Sequence, residues 1–494
     1  MHMHVLNSEA VMSIKKTFIG REKELQQLHW LTEKKTASFV VVKGRRRIGK
    51  SRLIDEFGKS FDHCYKFEGL APESHTTPAD QLEEFCIQIS REFKTPRARY
   101  DNWSDALWAV GERVQSGKIL LFFDEVSWMG SKTPTFLAKI KIFWDDLLKK
   151  NDQLIFVVCS SASSWIEKNL LSSTGFVGRI SFTLTLDELP LIDCAKFWPK
   201  NISNFEKLKV LSVTGGIPKY LEEVNTKLSA EENIKQLCFT HGGMLTTEFN
   251  KIFSDLFMRD SQFYEKIIHI LAMGMKEQHE IKNILSHEKE KQQYGRITEY
   301  LWELEEVGFI SRDYTWNIKT GSDLKLSNYR LKDNYLRFYL KYIQKNLDKI
   351  KRGNFDFKSL ESLPQWHAIL GFQFENLVLN NRKILHNTLQ ISSHDIVNAN
   401  PFFQHKTTRA KGCQIDYMIQ TKTNCLYVCE IKFSKTVIGS AVIEEVQEKI
   451  DRMKYPKGFS FRPVLIHVNG VSDDLMDHDY FTHVIDFSQL LLGD

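Results

Sequence analysis

Three short runs are apolar at nearly every position: Ser38–Val42 (SFVVV), Ile119–Phe123 (ILLFF) and Leu154–Val158 (LIFVV). A strand with one wet face alternates apolar and polar residues, so unbroken runs predict parallel strands covered on both faces. From Phe18 to about Phe182 such runs alternate with amphipathic segments, which predicts α/β winding. Between 201 and 350 the period lengthens. Phe263, Ile267, Ile268, Ile270 and Leu271 fit one helical face, and two more helical stretches follow at Ile281–Leu285 and Arg296–Val307. The runs 308–312 and 324–330 then flank the polar turn Thr320-Gly321-Ser322-Asp323. Three helices and a hairpin is the order of a winged helix. A basic helical stretch ends at Gly353, and a mixed α/β segment fills 355–494.

Composition narrows this little. Of 494 residues, 42% are hydrophobic and 26% charged, which excludes wholesale disorder. No apolar run approaches the roughly 20 residues of a membrane-spanning helix, and the first 17 residues lack the apolar core of a signal peptide. No membrane attachment and a cytoplasmic location are therefore expected. The 8 cysteines form no CxxC pair and are expected reduced and mostly buried. With 67 basic and 62 acidic residues the net charge is +5, so any nucleic-acid-binding surface must be local.

The chemistry lies in motifs. Gly44-Arg45-Arg46-Arg47-Ile48-Gly49-Lys50-Ser51 fits GxxxxGK[ST] between a predicted strand and a predicted helix beginning Ser51-Arg52. Its backbone N–H groups and the helix N-terminus would surround phosphate, with Lys50 on the β/γ oxygens and Ser51 ligating Mg²⁺. Ile119–Phe123 runs into Asp124-Glu125, a Walker B arrangement: Asp124 would hold the metal and Glu125 would act on the attacking water. Ser160 and Ser161 end the third strand, as a γ-phosphate sensor or as caps of a helix near Trp165. Arg179, after Gly178, is a candidate sensor arginine in cis or in trans.

With these, Phe18–Leu25 (FIGREKEL) and Thr214–Leu221 (TGGIPKYL) complete a series of five ordered motifs. Together they resemble the archaeal-type ATPases, a STAND branch of the AAA+-related P-loop NTPases, over most of 18–345. The resemblance implies ATP rather than GTP, Gly20-Arg21-Glu22 near the base, and Gly216-Ile217-Pro218 in a nucleotide-sensing helical lid. The expected nucleotide contacts are thus Gly20, Arg21, Gly44, Arg45, Arg46, Arg47, Ile48, Gly49, Lys50, Ser51, Arg52, Asp124, Arg179 and Pro218. It also implies a switch, in which nucleotide holds lid and winged helix against the core. The third winged-helix segment carries Glu299, Glu303, Glu305 and Glu306 against Arg296, while the hairpin carries Arg312, Lys319, Lys325 and Arg330. Acidic side chains repel phosphate, so packing or protein contact is expected of this module before base reading.

A second constellation lies near the C-terminus. Gly412–Ile419 and Leu426–Lys432 read as a hairpin that brings Asp416 beside Glu430 and Lys432, which share a face. Two carboxylates can hold a divalent metal against a phosphodiester, and a lysine can stabilise developing charge. This is similar to the PD-(D/E)XK nucleases, which implies Glu375 on an upstream helix as a further metal ligand and Gln447 on a downstream one. Lys341, Lys345, Lys349 and Arg352 recur at helical spacing beside Tyr339 and Tyr342, as a DNA-backbone stripe or a solvated face.

The expected fold class is α/β. A leader (1–17) precedes a P-loop core with a parallel sheet (18–200), a helical lid (201–255), a winged helix (256–352) and a restriction-endonuclease-like domain (355–494). The expected function is an ATPase switch controlling a metal-dependent (Mg²⁺ or Mn²⁺) DNA nuclease, in a setting such as defence against foreign DNA. Alternatives are a nucleotide-driven assembly scaffold with a non-cleaving terminal domain, and a winged-helix regulator. A homo-oligomer or a protein partner at the winged helix stays open.

Overall fold

A computed structural model describes residues 18–71, 75–257, 261–286, 294–356, 359–408 and 411–492; the expected leader lies outside them. The three apolar runs become β1 (Ser38–Lys43), β3 (Ile119–Asp124) and β4 (Ile155–Ser160), every residue buried. With β2 (His63–Glu68) and β5 (Ile180–Thr185) they form a parallel sheet of order β2-β3-β4-β1-β5. Alternate residues feed two separate cores: Val40, Val42, Leu120 and Phe122 on one face, Phe39, Val41, Leu121 and Phe123 on the other. The first core runs on into the helices after residue 240 and through the three-helix region.

That region contains the helices Ser261–Ala272, Gln278–Ser286 and Ile297–Val307. Its antiparallel sheet is ordered β6-β8-β7, from β6 (Lys276–Glu277), β7 (Ile310–Trp316) and β8 (Asp323–Leu331). The acidic third helix is docked on the parallel-sheet core. Lys168 lies 2.7 Å from both Glu299 and Glu303, and Lys43 lies 2.7 Å from Glu306 and 3.0 Å from Glu167. The hairpin is consumed as well: Arg330 is buried 3.0 Å from Asp313.

The hairpin tip enters the C-terminal core. Trp316 and Ile318 pack with Phe402, Ile415 and Met418, and the Trp316 indole N–H donates to Gln420 Oε1 at 2.6 Å. The C-terminal sheet has the order β13-β12-β11-β10-β9. β9 (Ile396–Gln404), β10 (Cys413–Thr421) and β11 (Cys425–Lys432) are antiparallel, while β12 (Ser460–His467) and β13 (His483–Asp486) continue parallel.

The basic stripe is not regular. A π-turn (Tyr339–Ile343) and a 3₁₀ turn (Gln344–Asn346) interrupt the helical path, and Tyr339 and Tyr342 are buried core residues. All eight cysteines are free. Among the described residues no helix is long and apolar enough to cross a membrane.

Candidate nucleotide site and C-terminal acid cluster

Parallel sheets bind ligands beyond the carboxyl ends of their strands, and the loop after β1 lies there. Its path needs glycine twice. Gly44 has φ +151° and a Cβ would meet Leu186 O at 2.6 Å; Gly49 has φ +91° where the Lys50–Gly58 helix begins. Lys50 Nζ donates to the carbonyls of Gly44 (3.0 Å) and Arg45 (3.2 Å), so the loop holds its own lysine. A groove of about 430 Å³ lies in front, lined by Arg46, Arg47, Gly49, Lys50, Ser51 and Arg52 on one side, Glu68, Asp124, Glu125 and Trp128 on another, and Pro218, Lys219 and Glu222 above.

The two Walker B carboxylates are held differently. Asp124 Oδ1 accepts from the Cys159 thiol (2.7 Å) and the Glu125 N–H (3.1 Å), and its Oδ2 lies 3.2 Å from Lys66 Nζ. Glu125 has φ +49°, and its Oε2 accepts from Ser161 N–H (2.9 Å) and Ser161 Oγ (3.0 Å). Ser160 and Ser161 therefore grip Glu125. The following helix starts at Ser163 after an Ala162 N-cap that offers no side chain, so neither serine is its cap residue. Burial, then the charge of Asp124, raises the Glu68 carboxyl above its ordinary value.

A neighbouring cleft of about 260 Å³ is lined by Phe18, Ile19, Arg21, Ile48, Leu189, Pro218 and Val224 among others. Gly20 (φ +74°) admits a close approach to Asp193, and Arg21 donates to the Ile48 carbonyl at 3.2 Å, tying the N-terminal segment to the loop.

Two expected contacts lie elsewhere. The Arg45 side chain turns away from the groove into the three-helix region, pairing with Asp333 and stacking 5.2 Å over Phe309. Its Nε and Nη2 are buried without a hydrogen-bond partner. Arg179 sits at the opposite end of the sheet, just before Ile180, which is in register with Phe39 at the start of β1. It forks onto Asp145 (Nε 3.0 Å and Nη2 2.8 Å to Oδ2), holding that carboxyl below its usual range, and cannot reach this chain's P-loop. Of the other arginines at the loop, Arg47 pairs with Glu248 and Arg52 with Glu222, both from the helical stretch 201–255.

In the C-terminal sheet, Tyr417 pairs with Cys429, so Asp416 and Glu430 adjoin across the hairpin. Ile431 N–H donates to Asp416 Oδ2 at 2.9 Å, and Lys432 lies 3.2 Å from Glu430 Oε1. Lys449, on the Ala441–Arg452 helix, pairs with Glu430 Oε2 and lies 3.7 Å from Asp416 Oδ1. Burial, then Glu430, pushes the Asp416 carboxyl up to about 7; Glu375 adds to the rise and Lys449 opposes it. Glu375 is itself raised by burial, against Arg330 and Arg337.

Gln447 points away, donating to Asp451 at 2.8 Å. Lys449 is the residue missed. The buried stripe Val442, Val446, Ile450 was the available signal, because Lys449 flanks it. Lys66 had no motif to betray it. Among the described residues no group of three or more His, Cys, Asp or Glu side chains is arranged to hold a metal ion.

The central sheet, phosphate-type loop and strand-end acid pair define a P-loop nucleotide-binding domain. Residues 18–224 match the model of an ATPase domain predominantly from Archaea. An uncharacterized protein of Methanocaldococcus jannaschii is 28% identical over 364 residues, covering 73% of this chain and 76% of that protein. Among solved structures, the Walker-type ATPase of Pyrococcus abyssi is similar at TM-score 0.48 and 17% identity, over 65% of this chain and 96% of that one. The ORC2 protein of Aeropyrum pernix, solved as ADPNP–ADP complexes, follows at TM-score 0.39 and 16% identity, over 67% and 94%.

Proposed function

We propose that this protein is a cytoplasmic ATP-binding and ATP-hydrolysing switch that controls its C-terminal domain. One observation carries the reading: Lys50, Ser51, Asp124 and Glu125 face one groove whose roof is the Pro218–Glu222 segment. The triphosphate would lie along the loop against Lys50, with the base in the apolar cleft beside Phe18 and Ile48. A hydroxyl, a carboxylate and phosphate oxygens form the all-oxygen donor set that suits Mg²⁺, so Ser51 and Asp124 fit that ion. Bound there, Mg²⁺ would offset charge on the phosphates. Glu125, released from Ser161, would orient the attacking water and take its proton.

The switch reading draws on the ion pairs of the loop. Lys43, Arg45, Arg47 and Arg52 bind Glu306, Asp333, Glu248 and Glu222 respectively, all from segments beyond the sheet. A triphosphate in the groove competes for Arg47 and Arg52, which line it, and alters the hold on the lid.

For the C-terminal domain we infer a metal-dependent DNA nuclease, consistent with defence against foreign DNA; the meeting of Asp416, Glu430 and Lys432 supports it. The site as formed does not suit a metal ion, because an ammonium lies on each oxygen of Glu430, Lys432 on Oε1 and Lys449 on Oε2, a double cation load that Asp124 does not carry. That observation favours the second reading, a nucleotide-driven scaffold with a non-cleaving terminal domain and a protein or self-association partner. Plasmid incubated with Mg²⁺ or Mn²⁺, with and without ATP, separates the two. Cleavage lost in both Glu430→Ala and Lys432→Ala supports the nuclease. No cleavage under any nucleotide condition, together with an ATP-dependent mass change in light scattering, supports the scaffold. The switch itself requires ATP hydrolysis that Lys50→Ala removes.

A further inference from the structure

We propose that Lys66 is a positioning residue of the ATP site, orienting Asp124 for the magnesium–nucleotide complex; this rests on the ATP reading above. Lys66 lies on β2, two residues before Glu68, which is in register with Asp124. Its ammonium is 3.2 Å from Asp124 Oδ2 and 5.3 Å from the centre of the Phe122 ring, which lies in register beside it. Asp55, on the helix that begins at Lys50, and Glu68 add further attraction.

The Asp124 carboxylate is therefore fixed from two directions. Oδ1 is held by Cys159 and by the Glu125 N–H, and Oδ2 by Lys66. A side chain with only the Oδ1 contacts can rotate about Cβ–Cγ, whereas one gripped at both oxygens cannot. An oriented carboxylate matters most for Mg²⁺, which demands near-ideal octahedral geometry. It matters little for nucleotide without metal, which contacts the loop rather than Asp124. Lys66 thus acts on one component of binding and through another residue, the behaviour expected of a group behind a ligand.

The test measures affinity for a fluorescent ATP analogue with Mg²⁺ and with EDTA, on the full chain, beside the melting temperature. In Lys66→Met, affinity with Mg²⁺ should fall about ten-fold, the scale of one charge-assisted hydrogen bond. Affinity in EDTA should stay unchanged, and Lys66→Arg should restore most of the loss. In an Asp124→Asn background, Lys66→Met should cost nothing further. If Lys66→Met fails to fold, Lys66→Gln is read the same way. An equal loss with and without Mg²⁺, or no loss, overturns the proposal. Wild-type protein that binds no nucleotide would overturn the ATP reading; wild type that gains affinity from Mg²⁺ while Lys66→Met keeps that gain overturns this inference alone.

Discussion

The P-loop groove and the C-terminal acid cluster both gather lysines and carboxylates at strand positions, yet they balance charge in opposite ways. In the groove, Lys50 is bonded to backbone carbonyls and Glu125 to serine donors, so that ammonium and that carboxylate stand apart across open space, while Lys66 takes one oxygen of Asp124. In the C-terminal cluster, Lys449 and Lys432 sit directly on Glu430, and Lys449 reaches Asp416. A site whose charges are kept apart is prepared for a charged ligand, whereas a self-neutralised site must first give up an internal ion.

The largest effect should follow from Glu125→Gln. Removing the base should slow ATP hydrolysis by about 10²–10⁴-fold while nucleotide affinity persists, as single-turnover and binding assays would reveal. Lys50→Ala should remove affinity as well, by about 10²-fold in titration of a fluorescent nucleotide. Intact hydrolysis in either variant would refute the contrast drawn for the groove.

Lys449→Met addresses the other site. Loss of the ammonium leaves Asp416 without a cation and Glu430 with Lys432 alone, and should destabilise the protein by up to about 3 kcal/mol. Millimolar Mn²⁺ should then recover part of the melting temperature in the variant and not in wild type. Recovery in neither would show that the acids cannot take a metal even when vacated.

The smallest expected effect is on pH dependence. His467 ends β12 buried, with Nδ1 lacking a hydrogen-bond partner, and burial lowers its pKa below the ordinary value. Its neutral form is favoured in the fold, so its stabilising contribution is full above the unfolded pKa of about 6.5 and is lost as pH falls through the folded value. Thermal melts between pH 7.5 and 5 should steepen toward acid, and His467→Gln should flatten that slope by about 1–3 °C.

Much of the nucleotide site was legible because its parts are local. A strand, a glycine loop and a helix start lie within fifteen residues, and the apolar runs announce which strands are central. The hairpin bearing Asp416, Glu430 and Lys432 is equally local, so their meeting followed from strand alternation alone. Arg179 stood open between cis and trans in the sequence because chain order does not reveal which end of a strand a loop occupies; the fold puts it at the end away from this chain's loop. Gln447 was read as the candidate by motif type and Lys449 was missed, although it flanks the buried Val446 and Ile450 that hold its helix beside the acids.

The linear order of residues was sufficient for the α/β core, the phosphate loop and the acid pair, since backbone conformation and strand periodicity act over short separations. Long-range packing settled the rest. It buried Arg45 against Asp333, spent the acidic helix on Lys43 and Lys168, drew Trp316 into the C-terminal core, and set Lys449 on Glu430. Each partner choice depends on which distant charges and apolar faces must be covered together, and that is a property of the assembled fold.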